Sequence, residues 1–563
     1  MSEDKALSRL NPAFLRLVQY APLLLLLVYP LLCRYDFHSS TLSYYDFFSM
    51  NGNILWFLVL VVCVAIVGSL RKSDVTVPSL LTIVLLFSVA EVYTNYPMIW
   101  RDVFLHGSDA KAIILQGHTG DPWFMYSETH PGFSLLWSVV SIVSGLQITE
   151  SNLIILLPAG LTAMTALLVA MYRRLSIEVW GAATLLSFLL MNFNTNEFMF
   201  VHFNTRLLSL IYILVFVQLY LSGGNQRAKF VALLTTNAAL VISHALNALV
   251  PVVIVAIALL DAKRSGSRES SFLLSSFLLC AISYAAWNVY VGIGLISAGL
   301  TTFLNVVYFR LALDVFAAWS PLNPKPTPFF GTVLVTYYKA LAVVLGAISL
   351  YCAVRLRRQT RVRLMAFYGL SVLLVYGLSF FSLLTWISAH RGILTASVPL
   401  AALPMILLTL NAKNPARRWR RQVVVLVVLV LVIPHFVLVH EMPVANWART
   451  GSLDGAASFT VEHRGDQTIA SLGDFPIYYC YYEPFYKGYE NLNLQGLQGL
   501  ADVADFLSTR PEATLKIVHY RAAVDWSWGS GEQGVRQWDA EVYGRLDQRL
   551  DKIYSNGFDT IYY

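Results

Sequence analysis

The sequence predicts an all-α polytopic membrane bundle of about thirteen transmembrane helices, followed by a C-terminal extracytoplasmic α/β domain. Three observations predict it. Apolar residues make up 57% of the 563 and charged residues only 13%, where a soluble protein has roughly 45–50% and ~25%. Apolar runs long enough to cross a bilayer recur as far as His440. Short clusters of Lys and Arg separate those runs as orientation signals do, and the composition turns polar from Glu441 onward.

The first run, Leu17–Cys33, follows Lys5, Arg9 and Arg16. It exceeds the ~7–15-residue apolar core of a signal peptide, so it reads as a span that stays. The further spans are Ile54–Leu70, Val77–Met98, Ser151–Met171, Val179–Met191, Leu207–Leu221, Phe230–Val241, Ala245–Leu260, Ser270–Ile296, Phe329–Val354, Leu364–Ile387, Ile393–Leu410 and Val423–His440. A shorter stretch, Pro131–Leu146, decides the orientation. If it crossed, every later basic cluster would fall outside; if it lies on the outer interface, every cluster falls inside. The second arrangement gives a multi-pass cell-membrane protein with a cytoplasmic N-terminus. Its transmembrane domain is 1–440, with a long external loop 99–150, and 441–563 is an extracytoplasmic soluble domain. The apolar stretch Phe230–Leu260 is too long for one span and too short for two full ones, so the polar pair Ser243–His244 predicts two short helices meeting near the outer face. In the tail, Thr468–Leu472 and Thr514–His519 read as strands, and Leu500–Leu507 and Val542–Ile553 as amphipathic helices.

Several function classes are excluded. The net charge of +7 lies in loops beside apolar runs, not in a basic patch interleaved with aromatics, so no nucleic-acid partner is indicated. There is no CxxC pair, and Cys480 alone lies in the tail. No GxSxG, HExxH, P-loop or dinucleotide fingerprint occurs in its structural context.

The densest polar cluster runs from Arg101 to His130. Asp102, His106 and Asp109 are spaced i, i+4, i+7, so on a helix they share one face, with Val103, Ala110 and Ile114 on another. A carboxylate at a partly dry interface can take a proton from an acceptor hydroxyl. The same acids could instead pair with Arg101 and Lys111 as ordinary surface ions. His130 begins the segment His130-Pro131-Gly132-Phe133, either as a cavity-rim group or simply where Pro131 starts a helix. His244 sits inside an apolar stretch, which suggests function or a neutral bond across two helices. His390-Arg391 lies between two external helix ends. Arginine there can grip phosphate through paired hydrogen bonds or snorkel to the interface. Arg206, at the outer start of another span, is a second such cation. Asp525-Trp526-Ser527-Trp528-Gly529 in the tail fits aromatic packing better than sugar binding.

An odd number of spans, a long external loop with acids after Trp100-Arg101-Asp102, the helix starting His130-Pro131-Gly132-Phe133, a span ending Tyr172-Arg173-Arg174 and an external C-terminal domain together resemble the GT-C superfamily. That superfamily includes protein O-mannosyltransferases, aminoarabinose transferases and oligosaccharyltransferases, and the resemblance is to its prokaryotic, archaeal members. It implies a GT-C-like bundle that moves a sugar from a polyprenyl- or dolichyl-phosphate donor to an extracytoplasmic glycan, lipid or protein acceptor, with inversion. It implies Asp102 or Asp109 as general base and Arg391 against the phosphate leaving group, with Arg206, His106, His130, His244 and His390 lining the donor side. Most such enzymes need no metal and oligosaccharyltransferases use a divalent cation, so no metal ligand is assigned and a divalent cation stays open as cofactor. Two departures stand out. Two extra spans precede the acidic loop, and the oligosaccharyltransferase signature W-W-D-Y-G is absent. The alternative is a transporter or flippase of a lipid-linked substrate, which would share the spans and the broken helix at His244. The missing internal repeat and the large external domain count against it. A scaffold would not need so many spans.

Overall fold

The computed structural model describes residues 101–118, 129–177, 180–191, 203–222, 225–266, 270–291, 329–380, 389–410, 455–471, 482, 489–491, 505, 507–509, 514–519, 544–555 and 559–562. The spans predicted at Leu17–Cys33, Ile54–Leu70, Val77–Met98 and Val423–His440 lie outside them, so the described residues cover only part of the predicted count.

In chain order the helices are α1 (Arg101–Gln116), α2 (Gly132–Ser144), α3 (Ile148–Arg174), α4 (Trp180–Met191), α5 (Thr205–Leu221), α6 (Gln226–Ser243), α7 (Leu249–Arg264), α8 (Ser270–Tyr290), α9 (Phe329–Arg355), α10 (Thr360–Phe380) and α11 (Ala389–Leu410). The helices α3 to α11 fall on the predicted apolar segments. The polar ends Gln226–Lys229 and Asp261–Arg264 extend α6 and α7 beyond the apolar cores that announced them. The break predicted at Ser243–His244 is where α6 ends, with His244 in extended conformation.

Among the described residues, α3 and α8 are long and apolar enough to cross a membrane by length and composition. The outward faces agree with a hydrocarbon solvent. Val143 is 82% exposed and Val343 71%, and Ile154, Val231, Ile282, Val289 and Val354 also point outward from their helices. Water does not tolerate apolar surface on that scale. Inward, Trp137, Leu157, Leu161, Met164, Leu168, Leu207, Leu210, Tyr368 and Val398 belong to one continuous core.

Two local devices shape α3. Its second turn, Asn152–Leu156, is π-helical, and the Leu157 N–H reaches back to the Asn152 carbonyl. Pro158 follows at once and has no N–H to give, so widening the turn moves the defect off the regular ladder. The wide turn presents the Asn152 side chain to the chain entering α5. Its Nδ2 donates to the Phe203 carbonyl at 2.9 Å, and its Oδ1 accepts from the Phe203 N–H at 2.9 Å. Gly160, two turns on, leaves the space the Phe203 ring occupies.

The ends of the bundle differ in charge. At one end Arg174 donates to the Gln218 carbonyl at 3.1 Å, Arg363 pairs with Asp261 at 3.1 Å, Lys229 donates to the Tyr220 carbonyl at 3.2 Å, and Arg361 bonds Ser176. These contacts draw four basic segments to one end. The break at His244 and the start of α5 lie at the other.

In the tail a five-stranded mixed sheet has the order β2-β1-β3-β5-β4, from β1 (Thr468–Ser471), β2 (Tyr489–Asn491), β3 (Thr514–His519), β4 (Lys552–Ser555) and β5 (Asp559–Tyr562). β1 pairs parallel with β2 and β3, and β5 pairs antiparallel with β3 and β4. Both predicted strands appear. The helix predicted at Val542–Ile553 is corrected. It covers only Gly544–Arg549 (α12), and Lys552–Ser555 forms β4. Pairing with β5 supplies ladder hydrogen bonds that a helix end could not, and long-range pairing overrides local helical periodicity here. Of Leu500–Leu507, only residues 505 and 507 are described, and both are helical.

A glycine comparison tests the packing. A Cβ on Gly160 would lie 2.1 Å from Phe203 Cε2, whereas one on Gly346 in α9 would meet nothing within 4 Å. Gly160→Ala is expected to destabilise by ~1–3 kcal/mol, and Gly346→Ala to be neutral or stabilising by up to ~1 kcal/mol. Thermal unfolding of the detergent-solubilised chain checks both.

Candidate active site

The acid-bearing segment folds as predicted, as helix α1. On it His106 is 8% and Asp109 4% exposed, with His106 Nδ1 4.0 Å from Asp109 Oδ2. Burial extends around the helix. Ala110 is fully buried, and its carbonyl accepts from Ser138 Oγ of α2 at 3.0 Å, while Leu115 is exposed. His106, Ser108 and Asp109 therefore face the protein, and Ile114 and Leu115 near its C-terminal end face out. Lys111 Nζ donates to the Tyr482 carbonyl at 3.2 Å, which ties α1 to the tail. Asp102 lies in the first turn of α1, but its side chain is outside the described residues.

Two aromatic contacts connect this acid pair to the rest. The Phe133 ring, at the start of α2, meets His106 edge-on at 5.4 Å and packs on Phe203 at 5.9 Å. Gly132 lets the start of α2 close on α6, since a Cβ there would lie 2.5 Å from Ser243 Oγ at the end of that helix. Next to Phe203, Asn204 caps α5, its Oδ1 accepting from the N–H groups of Arg206 at 3.1 Å and Leu207 at 2.9 Å. Arg206, only 9% exposed, thus sits in the first turn of a helix whose start is held by two asparagines.

His130 is 2% exposed, and its Nδ1 shares a hydrogen bond of 2.8 Å with Thr129 Oγ1. The Thr129 carbonyl accepts from Trp287 Nε1 of α8 at 2.8 Å. Burial holds the imidazole down at about 4, so His130 is neutral at physiological pH and is a hydrogen-bonding group, not a cation.

His244 is linked to the main chain of Arg206 through a residue that sequence reasoning missed. Asn247, in the turn 245–248, bonds Ser209 of α5, Tyr376 of α10 and Thr395 of α11. Thr395 lies one turn beyond Arg391. Gly392 allows α10 and α11 to close there, since a Cβ would lie 2.8 Å from Tyr376 Cβ. The side chains of His390 and Arg391 are outside the described residues, as are Asn194, Asn196, Glu197, His202 and Asp525–Gly529. A polar residue three positions after His244 in an apolar stretch was the signal that could have found Asn247. Asn152 gave no comparable signal. Among the described residues no group of three or more His, Cys, Asp or Glu is placed to hold a metal ion.

One end of the bundle thus gathers a buried carboxylate-imidazole pair, a neutral histidine, a nearly buried arginine and an asparagine hub. Such a set can accept a proton at one side and hold an anion at the other.

No protein-family model matches the chain, and no curated protein matches it. Among solved structures it is similar to the oligosaccharyltransferase of Archaeoglobus fulgidus tethered with an acceptor peptide containing the NVT sequon. The identity is 13% and the TM-score 0.46, over 86% of this chain and 74% of that one. It is also similar to ArnT from Cupriavidus metallidurans, at 10% identity and TM-score 0.48 in the apo state, over 85% of this chain and 97% of that one. With ArnT bound to undecaprenyl phosphate the values are 9% and 0.46, over 91% and 98%. Both are GT-C glycosyltransferases, the superfamily that the sequence resembles. Likeness at this level assigns the chain neither an activity nor a site.

His130 generates a pH prediction. Above its ordinary value of 6.5 the imidazole is neutral folded and unfolded, so it contributes no pH dependence. As pH falls from 6.5 toward about 4, the unfolded chain binds a proton that the folded one refuses, and stability is lost. Fully expressed, the loss is about 3 kcal/mol. His130→Asn should flatten the fall in thermal stability between pH 6.5 and 4.5 relative to wild type, as read by melting in detergent across that range.

Proposed function

We propose that the chain is an integral membrane glycosyltransferase that moves a sugar from a polyprenyl- or dolichyl-phosphate donor to an extracytoplasmic glycan, lipid or protein acceptor, with inversion. The observation that carries the reading is the burial of Asp109 and His106 at the end of the bundle that holds Arg206, away from the basic loops. The resemblance of the sequence to GT-C enzymes agrees with it. The basic end is cytoplasmic in this reading, and 1–440 is the membrane domain with 441–563 outside the cell membrane.

The chemistry follows from the two charges. The Asp109 carboxylate takes the proton of the acceptor hydroxyl as its oxygen attacks the anomeric carbon. The bond from that carbon to the phosphate oxygen breaks, and its electron pair leaves on the lipid phosphate. Arg206, with Arg391 from α11, meets the charge that develops there. Attack opposite the leaving group inverts the centre. His106 holds the carboxylate's orientation from 4.0 Å. Asp102, one turn earlier on the same helix, is the second candidate for the base.

The test is a host deletion restored with wild type, Asp109→Asn, Asp102→Asn or Arg206→Gln, followed by mass spectrometry of surface glycans and lipid-linked sugars. The deletion and Asp109→Asn are expected to lose one sugar from a glycan and to accumulate a lipid-phosphate sugar. Loss of a general base lowers the rate ~10²–10⁴-fold. A wild-type profile from Asp109→Asn alongside a null one from Asp102→Asn would move the base to Asp102. If no strain changes any glycan, the transferase reading ends and a flippase becomes the better account.

A further inference from the structure

Asn247 touches, directly or through one hydroxyl, the three segments that carry Arg206, His244 and Arg391. It is 2% exposed. Its Nδ2 donates to Ser209 Oγ at 2.6 Å, and that hydroxyl donates to the Arg206 carbonyl at 2.8 Å. The single proton of Ser209 is thereby committed, so the group facing it must be a donor. This fixes which way round the amide sits. Oδ1 then faces Tyr376 and Thr395, whose hydroxyls donate to it at 2.6 and 3.2 Å. The backbone N–H of Asn247 donates to His244 Nδ1 at 3.3 Å, so the neutral imidazole carries its proton on Nε2.

We propose that Asn247 is a positioning residue: it sets the spacing of Arg206, His244 and Arg391 and so the grip on the lipid-phosphate leaving group. The inference rests on the glycosyltransferase reading above. An amide suits the position because it donates to one partner and accepts from two at once without bringing a charge into a dry interior. Neither leucine nor aspartate does this. Leucine makes none of the bonds, and aspartate cannot donate to Ser209.

The experiment uses the full chain in lipid nanodiscs and two probes, undecaprenyl phosphate and undecaprenol, which differ only in the phosphate. Asn247→Leu and Ser209→Ala are each expected to weaken binding of the phosphate by about tenfold and to leave undecaprenol binding unchanged. Ser209→Ala removes only the arm to Arg206, so it tests the inference even if Asn247→Leu fails to fold. In an Arg206→Gln background, Ser209→Ala should add no further loss, because the group it positions is gone. Equal loss for both lipids would make Asn247 a packing residue and overturn the inference. Unchanged affinities in the variants, with wild type still preferring the phosphate, would overturn it too while sparing the transferase reading. A wild type that does not distinguish phosphate from alcohol would bring down both.

Discussion

Two hydrogen bonds between the Asn152 amide and the main chain of Phe203 hold the rest of this end in place. In a dry interior an unmet peptide group costs about 1–3 kcal/mol, so a non-helical segment can enter the bundle only where a side chain satisfies it. Asn152 does this for the approach to α5. The Phe203 ring then has one position, against Gly160 and Phe133. Phe133 in turn meets His106, so the placement of the acid pair on α1 and of Arg206 on α5 follows from one clasp between α3 and the chain before α5. The π-turn at Asn152–Leu156 is part of the same device, because it sets the direction from which the amide reaches out.

Neutral groups do most of the joining. Asn204 caps α5, Asn247 bridges three helices, and His130 is kept uncharged by burial. A charged group in any of these places would have to recover its desolvation from a partner. Using amides and hydroxyls instead joins the helices without adding charge to this end. His130 shows the distinction clearly. Its sequence context left open a cavity-rim group or a simple helix start, and in the structure it hydrogen-bonds beside Thr129 and carries no charge at neutral pH.

Much of the architecture was legible because apolar length and basic flanks are imposed by the bilayer itself. The helices α3 to α11 could be read from runs of the right length, and the break at His244 from one polar pair inside an overlong apolar stretch. For the acid segment the spacing i, i+4, i+7 gave one shared face if it were helical and left a solvated loop open, and the segment is helical. What stayed hidden depends on contacts between distant segments. Asn152 and Phe203 are 51 residues apart, and Asn247 and Thr395 148 apart. Nothing local marks Asn152 as a joint, and Asn247 shows only as a polar residue three positions after His244 in an apolar stretch. The end of the predicted helix at Val542–Ile553 failed for the same reason: Lys552–Ser555 takes its conformation from β5, not from its own periodicity.

The choice between Asp109 and Asp102 turns on the geometry of one helix. Asp102 is in the first turn of α1. Asp109 lies beyond the first turn, buried and beside an imidazole. His106 gives this buried carboxylate a polar neighbour at 4.0 Å, and a carboxylate held inside the protein is placed to take a proton from a bound hydroxyl in the proposed reaction. The proposed reaction therefore takes Asp109 as its base on burial and the neighbouring imidazole, both of which are set by the packing of α1 on α2.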